Sequence, residues 1–241
     1  MLKTLAILAL LSGTAAAAVE KTQELNGIYL RSLKAENLRT YAGTTERRIP
    51  YPIEQVYQGI TNFADRCNND LKLKRRFTTQ ADCKYHNEHL IETFVVRDIR
   101  RPHDVRDWTD LFLLGRKVYN RGTYGYYELV RIKEAREGKR LQAVTVSLRM
   151  LEDSEVRLYT EPRFSRESAF RTSTATYALR KLGPQETLLR YDYEAVTDHW
   201  LLNKEVTVPQ VFATISKSMN DQIKTVEEEA LHQTWEVAAK Q

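Results

Sequence analysis

The chain has 241 residues, of which 42% are hydrophobic and 29% charged, with a formal charge of +5. That is enough chain for one sizeable core, and the apolar fraction excludes an intrinsically disordered polymer. After the first residues, no stretch reaches the roughly 20 apolar positions that a membrane-spanning helix needs.

The opening "MLKTLAILALLSGTAAAA" sets Lys3 before an apolar run from Leu5 to Leu11, followed by small residues from Ala15 to Ala18. This order of parts reads as a signal peptide over residues 1–18, with residues 19–241 as a single domain exported to a bacterial envelope, periplasmic or secreted. An uncleaved anchor helix is the alternative. In an oxidising compartment the two cysteines, Cys67 and Cys83, read as one disulfide. Such a loop closure stabilises by roughly 3 kcal/mol on the chain-entropy model. Two buried free thiols are the alternative. No metal is expected, because the cysteines lack a C-x-x-C partner and His86 with His89 is a lone H-x-x-H.

Two strand candidates come next, "GIYLRSL" and "LRTYAGTTERRI". The segment "PYPIEQVYQGITNFADRC" then predicts a short helix. Pro52 suits its first turn and Glu54 its positive end, while Val56, Tyr57, Ile60 and Phe63 recur at helical spacing. Basic residues cluster at Lys72, Lys74, Arg75 and Arg76, and again at Arg97, Arg100, Arg101 and Arg106. On an exported protein they suit an anionic membrane surface or an acidic partner rather than nucleic acid. The interspersed Asp98, Asp104 and Asp107 fit a plain solvated face equally.

From Leu90 onward the texture is β. "LIETFVVRDI", "YGYYELVRIKEA", "LQAVTVSLRM", "SEVRLYTEPRF", "AFRTSTATYALRKL" and "ETLLRYDYEAV" all read as strands, the last two joined through "GPQ" as a hairpin. Leu189, Tyr191, Tyr193 and Ala195 share one face of the final strand; Arg190, Asp192 and Glu194 share the other. Val144, Val146, Leu148 and Met150 align in the same way. Such alternation describes an antiparallel sheet with one face wet and one covered. The cover is "TVPQVFATISKSMNDQIKTVEEEA", where Val211, Phe212, Ile215, Met219, Ile223 and Val226 form a helical stripe. Thr207 and Gln210 resemble a capping box, and Pro209 suits the first turn.

This order of elements resembles the helix-grip fold of the START-related lipid-transfer and polyketide-cyclase-like (SRPBCC) superfamily. The opening "NGIYLRSLKAENLRTYAGTTERRIPYPIEQVYQGITNFAD" is similar to the family's first two strands and Pro-led helix. The end, "TATYALRKLGPQETLLRYDYEAVTDHWLLN", is similar to its last hairpin and approach to the closing helix, with Trp200 and Asn203 near the usual apolar and Asn positions. The resemblance implies an α+β helix-grip domain, a curved antiparallel sheet around a long C-terminal α-helix. Between them it implies a cavity for a hydrophobic small molecule or lipid.

In that frame Tyr126, Val146, Leu148, Leu189, Tyr191 and Tyr193 are candidates for the cavity wall, and Phe212, Ile215 and Met219 for the lid. Tyrosine rings supply apolar surface and their hydroxyls orient a ligand, although Tyr is also a good strand residue in its own right. No catalytic residue and no cofactor is expected. The chain has no G-x-S-x-G, P-loop, dinucleotide fingerprint or H-E-x-x-H. Adjacent Asp198 and His199 point opposite ways on an extended segment. The alternatives are a cofactor-independent cyclase or dehydratase using Tyr193 or His199, and an interaction protein whose cavity is filled by its own side chains.

Overall fold

A computed structural model describes residues 19–63, 90–97, 99, 108–119, 123–164, 166 and 168–238. Nine strands form one antiparallel sheet: β1 (Val19–Leu25), β2 (Ile28–Ala35), β3 (Leu38–Ile49), β4 (Leu90–Val96), β5 (Asp110–Tyr119), β6 (Thr123–Glu137), β7 (Arg140–Met150), β8 (Thr172–Gly183) and β9 (Glu186–Thr197). Their order across the sheet is β1-β2-β3-β9-β8-β7-β6-β5-β4, so the first three strands join the last strand at the β3–β9 pair. The sheet is curved and unclosed. Among the described residues three helices accompany it: α1 (Ile53–Thr61), α2 (Asp153–Tyr159) and α3 (Val208–Ala238), the last preceded by a 3-10 turn over Glu205–Thr207. This is the α+β helix-grip architecture.

The main core lies between the concave face of the sheet, α1 and α3. Tyr41, Phe112, Val130, Val146, Leu179 and Leu189 meet Val56 and Ile60 of α1 and Phe212, Ile215, Met219 and Val226 of α3 there. Two glycines let the helices approach. A Cβ added to Gly43 of β3 would lie 2.5 Å from the Met219 sulfur. One added to Gly59 of α1 would lie 2.8 Å from the Val226 carbonyl oxygen and 3.4 Å from the Glu229 Cβ. Backbone cannot swing aside as a methionine can. Gly59→Leu is therefore expected to destabilise by about 3 kcal/mol, read as a lower urea midpoint at unchanged slope.

Three sequence expectations are corrected. "SEVRLYTEPRF" is not a strand; its first part is α2. The Glu152 side chain accepts from the N3 amide while the Glu155 carboxylate accepts from the Glu152 amide, a reciprocal cap that starts a helix where the sequence reads as a strand. The sheet is not wet along its whole outer face. Val156 of α2 is buried with Leu111, Leu113, Tyr127 and Leu129 in a second core on the outer side of β5 and β6. Covered on both faces, β5 reads as the unbroken apolar run "LFLL", without the alternation that marks a half-wet strand. Finally, Thr207 does not cap α3 as a box with Gln210. Its hydroxyl donates backward to the carbonyls of Lys204 and Leu201, at 2.8 and 3.0 Å.

Several sequence expectations lie outside the described residues: the segment 1–18, the cysteines Cys67 and Cys83 with their disulfide, His86 and His89, and the basic positions Lys72, Lys74, Arg75, Arg76, Arg100, Arg101 and Arg106. Among the described residues, no helix is long and apolar enough to cross a membrane.

Candidate functional site

The site forms where β9 passes under the first turns of α3. A cavity of about 470 Å³ opens there, lined by Phe170, Tyr191 and Tyr193 below and by Val211, Ile215 and Met219 above. Leu201 and Leu202 close one end, and Thr207, Gln210, Thr214 and Ser218 complete the lining. The geometry follows from local periodicity. Alternation on β9 turns Tyr191 and Tyr193 inward. Spacings of four on α3 stack Val211, Ile215 and Met219 on its inner side, whereas Gln210, Thr214 and Ser218 are exposed and rim the mouth.

Of the residues chosen from sequence, Tyr191, Tyr193, Ile215 and Met219 line this cavity. Val146, Leu148, Leu189 and Phe212 face the same interior but are buried in the packed core, where the Phe212 ring meets Tyr41 edge-on at 6.2 Å. Tyr126 lies deeper along the concave face, on β6 opposite Arg116 of β5.

There the interior turns polar. Arg116 Nε donates to Glu128 Oε2 at 2.9 Å, with side-chain exposures of only 20% and 14%. Burial works against the guanidinium charge, but the neighbouring Glu128 and Tyr126 outweigh it and raise the Arg116 pKa. The rings of Tyr177 and Tyr191 stack 4.4 Å apart, nearly parallel. Tyr191 lines the cavity of about 470 Å³. Tyr177 lines a second of about 70 Å³, shared with Arg116, Gln222, Thr225 and Glu229. Burial, with the Glu128 charge adding to it, pushes the hydroxyls of Tyr126, Tyr177 and Tyr193 up to about 12. At neutral pH they are hydrogen-bond donors, not bases.

The end of the cavity nearest Leu202 is held by a charge cluster that sequence reasoning missed. Arg39 of β3 is fully buried, donating to Ser32 Oγ at 2.9 Å and forming an ion pair with Glu205. Lys21 reaches the other Glu205 oxygen at 2.7 Å. The Tyr41 hydroxyl donates to the Leu202 carbonyl at 2.6 Å, and Asn203 donates to the Asn37 carbonyl at 2.7 Å. One signal was available: Arg39 shares its strand parity with Tyr41, which places a guanidinium on the covered face.

The Asp198–His199 pair makes no acid–base device. Asp198 is 3.9 Å from Arg171, while the His199 ring accepts from the Leu201 amide in a turn. No group of three or more His, Cys, Asp or Glu among the described residues is arranged to hold a metal ion.

Sheet, gripped helix and intervening cavity together define a protein with the START/SRPBCC fold. Among solved structures, human STARD10 superposes with a TM-score of 0.54 at 12% identity, the match covering 91% of this chain and 78% of that one. Two bacterial structures align less closely. The STAR-related lipid transfer protein of Xanthomonas axonopodis does so at TM-score 0.46 and 10% identity, over 88% of this chain and 98% of that one. The Zhui aromatase/cyclase of Streptomyces sp. R1128 gives 0.46 and 12%, over 81% and 96%. Likeness at such identities is likeness of fold. No protein-family model and no curated protein sequence matches the chain.

Proposed function

We propose that this protein binds a hydrophobic, lipid-like molecule between β9 and α3 and serves to sequester or transfer it. The observation that carries this reading is the cavity itself. Its volume of about 470 Å³ lies within the range of ligand sites, and its wall is mostly apolar and aromatic, with polar groups at the rim. Tyr191 and Tyr193 in the lining bring hydroxyl groups to receive a polar end of the ligand. A cyclase or dehydratase using Tyr193 as a base is disfavoured, because a phenol held at about 12 stays protonated at neutral pH. A fully filled interior is disfavoured by the cavity volume.

Export supplies the setting. It rests on the leader-like residues 1–18, read from sequence, and in that setting Cys67 and Cys83 read as a disulfide. An anionic membrane contact through Lys72, Lys74, Arg75 and Arg76 rests on sequence in the same way.

Native mass spectrometry of protein purified without detergent is expected to show co-purified lipid, and the emptied protein is expected to take up a fluorescent fatty acid or sterol. Ser218→Trp places a large ring at the exposed rim and is expected to weaken uptake at least about tenfold with an unchanged melting temperature. Absence of both co-purified lipid and probe uptake in the wild type would overturn the reading.

A further inference from the structure

Hydrophobic side chains should retreat from water unless something other than water meets them. The loop between β9 and α3 does the opposite. Trp200 is 66% exposed, Leu201 42% and Val206 82%, the largest value among the exposed large hydrophobic side chains described. Leu38, 37% exposed, adjoins them, since its neighbour Asn37 is bonded to Asn203 of the loop. The resemblance to the superfamily placed Trp200 near an apolar position, yet the structure turns its ring outward.

This exposure is built into the backbone. Leu202, Asn203 and Glu205 are tied to Tyr41, Asn37, Arg39 and Lys21 as described above, and Thr207 holds the Lys204 carbonyl. These anchors follow Trp200 and Leu201 and flank Val206, so the three side chains are presented without a further cost of ordering the loop.

We propose that this loop docks the protein on an anionic lipid bilayer, with Trp200, Leu201 and Val206 entering the boundary between headgroups and acyl chains and Lys204 meeting the lipid phosphates. Two observations select a bilayer over a protein partner. The first is chemical. The Lys204 ammonium lies 4.6 Å from the centre of the Trp200 ring. A Trp ring beside a snorkelling Lys is the composition of membrane interfaces, while Lys is depleted from protein interfaces, which also require roughly 800 Å² on each partner. The loop's carboxylates do not oppose an anionic surface: Glu205 is matched by Arg39 and Lys21, and Asp198 lies near Arg171. The second is continuity. Leu201 is both exposed and part of the cavity lining, so the docking surface runs into the mouth of the cavity. A ligand leaving there meets acyl chains rather than water. This inference rests on the lipid reading of the cavity.

Flotation of the full chain with phosphatidylcholine vesicles, with and without phosphatidylglycerol, tests it. The wild type is expected to float with the mixed vesicles. Trp200→Glu and Val206→Glu should each reduce partitioning at least about tenfold, the effect of withholding one large apolar side chain. Lys204→Ala should reduce it about fivefold, and only when phosphatidylglycerol is present. Trp200→Phe should keep the binding but lose the fluorescence quenching by brominated acyl chains that the wild type shows.

Unchanged flotation of Trp200→Glu would overturn the proposal, as would a wild type that floats with neither vesicle. So would a Trp200→Glu effect confined to association with a protein. Uptake of a fluorescent fatty acid from vesicle-free solution, measured on the same variants, separates the two readings. Retained uptake with lost flotation supports docking. Failed uptake in every form, wild type included, overturns the cavity reading, and flotation then decides docking alone.

Discussion

Phe212→Ala is expected to lower the unfolding free energy by about 3–5 kcal/mol, the range for emptying a buried aromatic site. In a domain of this size that is roughly 10 °C in melting temperature. The ring is 2% exposed, packed edge-on against Tyr41 and surrounded by the main core, so its removal leaves a void that neither the strand nor the helix can close. Its neighbours on the same helix predict a different outcome. Ile215 and Met219 border space that is already open, and Tyr193 lies across from them on β9. Tyr193→Phe should leave the melting temperature nearly unchanged while weakening a ligand with a polar end by about tenfold, the value of one buried hydrogen bond. Thermal melts and probe titrations on the two variants separate the structural part of the inner surface from the binding part.

Glu205→Ala is expected to destabilise by about 3 kcal/mol, the lower end for breaking a buried ion pair because the Glu205 side chain is 42% exposed. The loss comes from Arg39, whose guanidinium keeps its place under the loop with no carboxylate to meet it. Arg39→Met combined with Glu205→Leu should recover most of the stability, since an apolar pair of similar volume carries no desolvation penalty. Hydrogen bonds from Lys21 and Arg39 hold the Glu205 carboxyl at about 2, below its ordinary 4.5. A lowered folded-state value stabilises the fold above the unfolded pKa and loses that contribution as pH falls through the folded one. Wild type and Glu205→Gln should therefore differ most above about pH 5 and converge toward about pH 2. Chemical unfolding across that window checks it.

Local patterning carried much of this fold. β3 and the β8–β9 hairpin fall where alternation and the turn signal put them, because a strand covered on one side must alternate. The stripe from Val211 to Val226 appears as α3 for the equivalent reason at helical period. Where both faces are covered the signal vanishes, so β5 was missed. At α2 two glutamates closing a cap start a helix in a segment that reads as a strand.

By itself, then, the sequence determined β3, the β8–β9 hairpin, the inward face of β9 and the inward stripe of α3, since each depends on side-chain period within one segment. Only the tertiary structure decided which inward residues touch. It filled the space at Phe212, Leu189, Val146 and Leu148, and left it open beside Tyr191, Tyr193, Ile215 and Met219. Whether two apolar surfaces meet depends on the distance between a strand and a helix, and that distance is fixed by contacts with other elements rather than by the period of either segment. Gly43 and Gly59 set how closely the helices approach, and Arg39 with Glu205 sets where the loop that begins the grip is fastened.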